Sequence, residues 1–222
     1  MKLHLIAIAK DEAPYIREWI EYHRGIGVTD IHILDNASVD GTGDIAYEMG
    51  CHVEWHSGRH QQMPYYRRLL YSSLPPGWYG FLDIDEFIQG PVLDVLAECE
   101  GAALGLTWRL FGPSGHYVKT DEPVQKRFTR SRTDSHIKSI VKFPVDGIVA
   151  NDPHYLVHKT VDCNGVIIPG PHHMILEPAV CINHYFTKSV EEFVAKCSRG
   201  RADGGEAHNP WHWLRFMQES GL

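Results

Sequence analysis

Short apolar runs alternate with amphipathic stretches through the first half of the chain, and this alternation limits the fold more than any other feature. Four runs have the length and composition of buried strands: Leu3–Ala9, Ile31–Leu34, Cys51–Trp55 and Trp78–Leu82. Between the first two, apolar side chains recur every three or four residues over 12–27, which predicts a helix. Strands separated by helices form parallel sheets, so the sequence predicts an α/β fold with a mostly parallel sheet and helices on both faces.

The second half of the chain, from about Gly101, is more irregular. Its β-like runs are separated by Pro, Gly and Asn: Leu104–Trp108, Ile137–Phe143, Gly165–Ile168 and Val180–Tyr185. Two helical segments follow, Val190–Ser198 and Trp211–Met217. Because no internal repeat and no low-complexity linker separates the halves, we predict a single domain over residues 1–222.

Composition narrows the class of protein. Hydrophobic residues make up 43% and charged residues 22%, as in an ordinary globular chain, and the net charge of -7 disfavours a nucleic-acid partner. The five cysteines include no CxxC pair, which indicates reduced thiols rather than a disulfide framework or a thiolate zinc site.

No apolar run is long enough to span a bilayer, so we expect no transmembrane segment and a cytoplasmic protein. We expect the aromatic segment Trp211–Phe216 to pack on the sheet, with peripheral membrane contact as the weaker alternative.

The segment with the sharpest chemical signature is Phe81–Phe87, which reads FLDIDEF. On a strand, Asp83 and Asp85 would point the same way, about 6.6 Å apart, at the carboxyl edge of the predicted sheet. Two neighbouring carboxylates repel each other unless a cation lies between them, and such oxygen ligands suit Mg²⁺ or Mn²⁺. The alternative is a pair of exposed loop acids, although the apolar residues around them favour burial.

Two further segments carry polar side chains within or after predicted strands. Asp35 and Asn36 begin the turn DNASVDG at the same sheet edge, where they are able to shape the turn, to hydrogen-bond a nucleoside, or to do both. His184 lies in an apolar run, where it is either a satisfied core histidine or a metal ligand.

The helix that follows His184 begins with a recognisable capping signal. Ser189 and Glu192 have the spacing of a capping box. The basic side chains around this helix predict either a solvated helix face or a phosphate-binding site: Lys188, Lys196, Arg199 and Arg201.

Taken together, five segments resemble a glycosyltransferase of the GT-A type, a nucleotide-diphospho-sugar transferase with a Rossmann-like sheet. The likeness is closest to family-2-like and family-92 enzymes. The segments extend over most of the chain: residues 10–28, 35–42, 82–87, 108–116 and 183–196. The opening segment KDEAPYIREW and the DxD segment LDIDEF are specific by themselves, and the other segments add weight jointly.

The resemblance implies a nucleotide-sugar donor whose diphosphate is bridged to Asp83 and Asp85 through Mn²⁺ or Mg²⁺, with His184 as a further metal ligand. It implies that about residues 1–100 form the nucleotide-binding half and about residues 101–222 the acceptor-side half. Within the donor-binding set that the resemblance implies, Asp11 and Asp35 would lie by the base and ribose. The full set comprises Asp11, Glu12, Asp35, Asn36, Lys188 and Lys196, with the two lysines on phosphate.

Enzymes of this group are usually inverting, which requires a carboxylate to deprotonate the acceptor hydroxyl. Glu122 or Asp121 is the first choice for this base, and Asp134 is the reserve. The predicted function is therefore metal-dependent transfer of a sugar from a nucleotide donor to a glycan or lipid-linked acceptor. A catalytically inactive protein that binds nucleotide sugar or glycan, and a metal-dependent phosphohydrolase, are the alternatives.

Overall fold

The computed structural model of the protein describes residues 1–58, 62–199 and 209–222. Its strands are β1 (Leu3–Ala9), β2 (Asp30–Asp35), β3 (His52–Trp55), β4 (Gly77–Phe81), β5 (Glu86–Gln89), β6 (Ala103–Phe111), β7 (Ser131–Phe143), β8 (Thr160–Val161) and β9 (Cys181–His184). Its helices are α1 (Ala13–Gly25), α2 (Thr42–Glu48), α3 (Gln62–Leu70), α4 (Val92–Glu98), α5 (Val124–Arg127), α6 (Val190–Arg199) and α7 (Pro210–Glu219). The strands join one sheet in the order β3-β2-β1-β4-β7-β6-β9-β5, with β8 paired to β6.

The first four strands are parallel, as the alternation of strands and helices predicts. β1 pairs with β2 and β4, and β2 pairs with β3. β1 is buried along its whole length because successive side chains point into two separate apolar cores. On one face Leu5 shares a core with Trp19 of α1, and on the other Ile6 shares a core with Tyr66 of α3. The α/β class and the helices on both faces are therefore confirmed.

Strands of the second half extend the sheet beyond β4 and make it mixed. β7 is antiparallel to both β4 and β6, β9 is parallel to β6, and β5 is antiparallel to β9 at the edge. Residues 165–168, which we expected to be a strand, form only an isolated bridge between Val161 and Ile167. β5 and α4 have no counterpart in the sequence prediction.

The sheet curls back on itself, because β4 and β5 are joined by residues 82–85 alone although three strands separate them in the sheet. The chain from Phe81 to Glu86 reaches at most about 18 Å. Crossing the intervening strands of a flat sheet would need about 19 Å. A turn shortens the connection further, since the Glu86 N–H donates to the Asp83 carbonyl at 3.1 Å. The ends of β4 and β5 therefore converge around this loop.

The loop corrects one detail of the sequence prediction. The fourth strand is predicted over Trp78–Leu82, and a shared face for Asp83 and Asp85 requires it to continue through Asp85, but β4 ends at Phe81. The reason is local, because the Asp83 N–H donates to the Glu86 carboxylate at 2.8 Å instead of to a neighbouring strand. The prediction that Asp83 and Asp85 share one strand face is therefore wrong, and their placement depends on the loop.

A buried ion pair fixes α6. Arg127 of α5 donates to both carboxylate oxygens of Glu192, at 2.7 and 2.9 Å, and the two side chains are 2% and 4% exposed. The Tyr15 hydroxyl of α1 donates to the same carboxylate at 2.8 Å, and Ser189 and Glu192 form the predicted capping box. Burial alone raises the pKa of Glu192, but Arg127 and the other donors lower it to about 2.

The C-terminal helix packs on the rest of the domain as expected. Met217 and Leu222 share a small apolar core with Leu110 of β6, and Trp213 and Phe216 pack against it. No helix in the described part of the chain has the length and apolar character needed to cross a membrane.

Removing Arg127 tests the buried pair. Arg127→Met is expected to lower the free energy of unfolding in urea at neutral pH by about 3–5 kcal/mol, because Glu192 would stay buried without its partner. Because the pKa of Glu192 is lowered in the folded state, this stabilisation is present above its ordinary pKa of 4.5. It is lost as the pH falls towards about 2, so the difference between variant and wild type should shrink over that range.

The control is Arg68→Met, which breaks the exposed pair between Arg68 and Glu54, whose side chains are 57% and 48% exposed. This variant should lose less than about 1 kcal/mol. Equal losses for the two variants would contradict the importance of the buried pair.

Candidate functional site

The carboxylate of Asp83 is held from both sides. Lys138 of β7 donates to its Oδ2 at 2.8 Å, and Gln62 of α3 donates to its Oδ1 at 2.8 Å. Lys138 is fully buried and also lies 3.3 Å from Glu86 Oε2. Burial alone lowers the pKa of a lysine, but these two carboxylates raise the pKa of Lys138 above its ordinary value. Burial raises the pKa of Glu86 to about 8, so at neutral pH the Lys138 ammonium serves mainly as the counter-ion of Asp83.

Asp85 is buried beside a different lysine. Lys196 of α6 donates to its Oδ2 at 2.6 Å, and His184 Nε2 lies 3.5 Å from its Oδ1. Burial alone raises the pKa of a carboxyl, but Lys196 and His184 hold the pKa of Asp85 well below its usual range. Asp85 is therefore an ionised carboxylate throughout the neutral pH range.

His184 is the imidazole nearest to this carboxylate. β9 places it opposite Glu86 of β5, and burial lowers the pKa of His184, which keeps the ring neutral. Its Nδ1 is buried and has no hydrogen-bond partner among the described residues. A neutral imidazole beside a carboxylate has the right chemistry for a metal ligand. In the described part of the chain, however, no three His, Cys, Asp or Glu side chains are arranged to hold a metal ion.

One cavity of about 410 Å³ collects these side chains. Its volume is within the usual range of small-molecule sites. Residues from both halves of the chain line it, including Lys10, Glu12, Asp83, Asp85, Trp108, Asp134, His136, His154, His184, Lys196 and Arg199. The three predicted metal ligands therefore face the same cavity, together with cations that suit a phosphate.

A second cavity, of about 430 Å³, lies beside the first and shares Glu12, Lys196 and Arg199 with it. Lys188 lines only this second cavity, where its Nζ lies 4.1 Å from the ring centroid of Tyr15 and 4.0 Å from Glu12 Oε2. Burial lowers the pKa of Lys188 against the attraction of Glu12. Of the two lysines predicted to bind phosphate, Lys196 is thus the one that lines the cavity containing Asp85.

The loops after β1 and β2 are hydrogen-bonded to each other. The Asp11 N–H donates to Ser38 Oγ at 2.9 Å, and the Asp11 carboxylate accepts the Val39 N–H at 2.8 Å. Asp35 shapes its own turn by accepting the Ser38 N–H at 2.9 Å. Asp35 and Asn36 are buried and line neither cavity, whereas Asp11 lines the second.

The candidate bases lie in different places. Asp121 and Glu122 are exposed in the turn before α5 and line neither cavity, whereas Asp134 lines the first. His136, which also lines the first cavity, was absent from the sequence candidates. The sequence did contain a pattern that indicates His136, because the segment of β7 carries polar side chains at the alternate positions 134, 136 and 138, beside an apolar run. Arg201, predicted to bind phosphate, lies outside the described residues.

The chain has relatives among named plant proteins. A glycosyltransferase family 92 protein of Arabidopsis thaliana is 27% identical over 214 residues, which cover 85% of this chain and 36% of that protein. A protein with the same family name from Oryza sativa subsp. japonica is 30% identical over 148 residues, which cover 60% of this chain and 25% of that protein. The chain is similar in sequence to proteins named glycosyltransferase family 92. It spans between a quarter and about a third of the length of these relatives, and no protein-family model matches it.

Among solved structures, the chain is similar to residues 1–349 of TarS from S. aureus. The TM-score is 0.39 at 19% sequence identity, with 54% of this chain and 39% of that chain covered. Because this overlap is partial, the fold assignment rests on the strand order and register of the chain itself.

A double-mutant cycle tests the Asp85–Lys196 pair. Lys196→Met is expected to lower the free energy of unfolding by about 2 kcal/mol, because Asp85 would lose its charged donor inside the protein. The double variant with Asp85→Asn should recover part of this loss, giving a coupling energy of at least about 1 kcal/mol in urea unfolding. Lys126→Met, at an exposed position of α5, is the control and should change stability by less than about 0.5 kcal/mol. A coupling energy near zero would show that the pair does not stabilise the loop.

Proposed function

We propose that the chain carries the catalytic part of a metal-dependent glycosyltransferase of the GT-A type, which transfers a sugar from a nucleoside diphosphate sugar to an acceptor hydroxyl. The observation that carries this proposal is that Asp83, Asp85 and His184 line one cavity together with Lys196 and Arg199. The sequence likeness to family 92 proteins supports the same chemistry.

The chemistry of the cavity fits a divalent cation. The carboxylates of Asp83 and Asp85 and the neutral imidazole of His184 would hold Mn²⁺ or Mg²⁺. When bound, such an ion supplies a Lewis acid beside the departing diphosphate. Lys196 already compensates Asp85 at 2.6 Å, so the ion and this ammonium would compete for the same carboxylate.

The basic side chains of α6 are suited to the diphosphate. Negative charge builds up on the nucleoside diphosphate as its bond to the sugar breaks, and preorganised cations stabilise that charge. Lys196 has three N–H donors and uses two among the described residues, to Asp85 and to the Phe186 carbonyl at 3.1 Å. Arg199 is fixed at the cavity wall, since it donates to Glu12 at 2.7 Å and to the carbonyls of the segment that follows β1.

The proposal extends to the donor and the acceptor. Glu12 lines both cavities, so the nucleoside fits next to it, with Asp11 in the second cavity and with Asp35 and Asn36 supporting the neighbouring loop. The transfer is inverting, so the acceptor oxygen attacks the sugar from the side opposite to the diphosphate. The acceptor is a glycan or a lipid-linked saccharide.

A screen of UDP- and GDP-sugars tests this function. With Mn²⁺ present, we expect one donor to stabilise the chain in a thermal-shift assay and to release its nucleoside diphosphate in the presence of a saccharide acceptor. Asp85→Ala should lower turnover at least about 100-fold, because the metal and the leaving group would lose their nearest carboxylate. Glu98→Ala, at an exposed residue of α4, is the control and should retain wild-type turnover.

Three outcomes would contradict the proposal. Unchanged turnover of Asp85→Ala would remove Asp85 from the site. Donor binding without turnover would identify a binding protein instead of an enzyme. Release of phosphate from simple esters without an acceptor would identify a phosphohydrolase.

A further inference from the structure

A bulge in β7 brings an imidazole to the cavity. The register between β6 and β7 shifts at this point, so that Ser135 and His136 have no partner in β6. Bulges re-aim side chains and occur frequently beside active sites. The side chain of His136 is 40% exposed and lines the same cavity as Asp85.

Asp134 fixes the tautomer of His136. Its Oδ1 lies 2.6 Å from His136 Nδ1 and also accepts the His136 backbone N–H at 2.9 Å. The hydrogen bond to His136 lowers the pKa of Asp134 to about 2, so Asp134 is a carboxylate and only accepts hydrogen bonds. The proton of the neutral ring therefore lies on Nδ1, and Nε2 carries the lone pair. No described residue is hydrogen-bonded to this Nε2.

Trp108 contacts both His136 and His184, the predicted metal ligand. Its ring centroid lies 4.9 Å from that of His136, with the two planes 26° apart, and 4.2 Å from that of His184. A base for an inverting transfer must approach from the side of the acceptor, away from the leaving group. The indole contacts both imidazoles, and within the described residues no direct ring contact joins His136 to His184, although both line one cavity.

We propose that His136 is the catalytic base of the transfer and that Asp134 is its positioning residue, an inference that rests on the proposed function. Nε2 takes the proton of the acceptor hydroxyl while the acceptor oxygen bonds to the anomeric carbon. The bond between that carbon and the diphosphate oxygen breaks, and its electron pair leaves with the nucleoside diphosphate. The carboxylate of Asp134 stabilises the imidazolium that forms. Asp134 thus acts through His136, and Asp121 and Glu122 take no part.

Within the described ranges, three titratable side chains lie close to His136. They are Asp134 on β7, the ring of His172 at 4.4 Å and the ring of His154 at 5.4 Å between centroids. Burial, followed by the charge of Lys138, lowers the pKa of His154 to about 4, so that ring is neutral throughout the neutral pH range. His172 is exposed and has no carboxylate partner among the described residues, which makes it a suitable control.

Steady-state transfer measured across the neutral pH range tests the proposal. His136→Ala is expected to lower kcat at least about 100-fold with the donor KM unchanged, and to abolish the decline of kcat/KM at acid pH. Added imidazole should restore part of the rate. Asp134→Asn should also lower kcat, because its amide oxygen would still accept from the His136 backbone and from Nδ1 but, being neutral, would not stabilise the imidazolium that forms. His172→Ala should retain the wild-type kcat and pH profile.

A measurement without turnover tests the same geometry. Nitrogen-15 NMR of the imidazoles should show the Nδ1–H tautomer for His136 in the wild type and a shift towards the Nε2–H tautomer in Asp134→Ala, which removes the acceptor of Nδ1. The opposite tautomer in the wild type would overturn the proposal even if the chain is active.

The remaining outcomes distinguish this inference from the proposed function. A wild type that transfers sugar together with an unimpaired His136→Ala would overturn the role of His136 alone. Loss of turnover in Asp134→Asn with normal turnover in His136→Ala would make Asp134 itself the base. Loss of turnover in Glu122→Gln with normal turnover in His136→Ala would return the role to the exposed acids. A wild type inactive with every donor would overturn both proposals.

Discussion

Charge compensation in the loop after β4 is the constraint on which the rest of the structure depends. Asp83 is half-buried and Asp85 is buried two residues further on, and carboxylates so close together enter the protein only when cations accompany them. Lys138 of β7 and Lys196 of α6 supply the two ammonium groups. Both belong to the second half of the chain, so the acidic loop of the first half is stable only when the second half folds against it. The cavity forms at this junction, which explains why both halves line it.

The two lysines make the two aspartates chemically different. Lys138 is fully buried between Asp83 and Glu86, so its charge is fixed within the protein and Asp83 mainly anchors the loop. Lys196 is 27% exposed at the cavity wall, where it can exchange Asp85 for a phosphate. In the proposed reaction Asp85 would be the more available of the two carboxylates to a cation, and the Lys196 ammonium would stay beside the leaving group.

The parts of the fold that depend on segments adjacent in the sequence could be predicted from the sequence. The parallel strands β1 to β4 follow from the local alternation of strand and helix, whereas the position of β7 depends on pairs such as Gly80 with Ile140, which periodicity does not reveal. The same limit applies to the site. Asp85, His184 and Lys196 belong to recognisable segments, but the partner of Asp83 is a lysine 55 residues away. His136 carried a local signal, yet its orientation follows from a register shift between two strands. The exposure of Asp121 and Glu122 likewise depends on how distant segments pack.

The most direct test of this account is an anomalous difference map from crystals grown with a nucleoside diphosphate and Mn²⁺. The account predicts a manganese peak in the first cavity, bonded to the Asp85 carboxylate and to a diphosphate oxygen, with the Lys196 ammonium moved from Asp85 to the phosphate. A nucleotide bound outside this cavity, or a manganese ion bound away from Asp85, would contradict it.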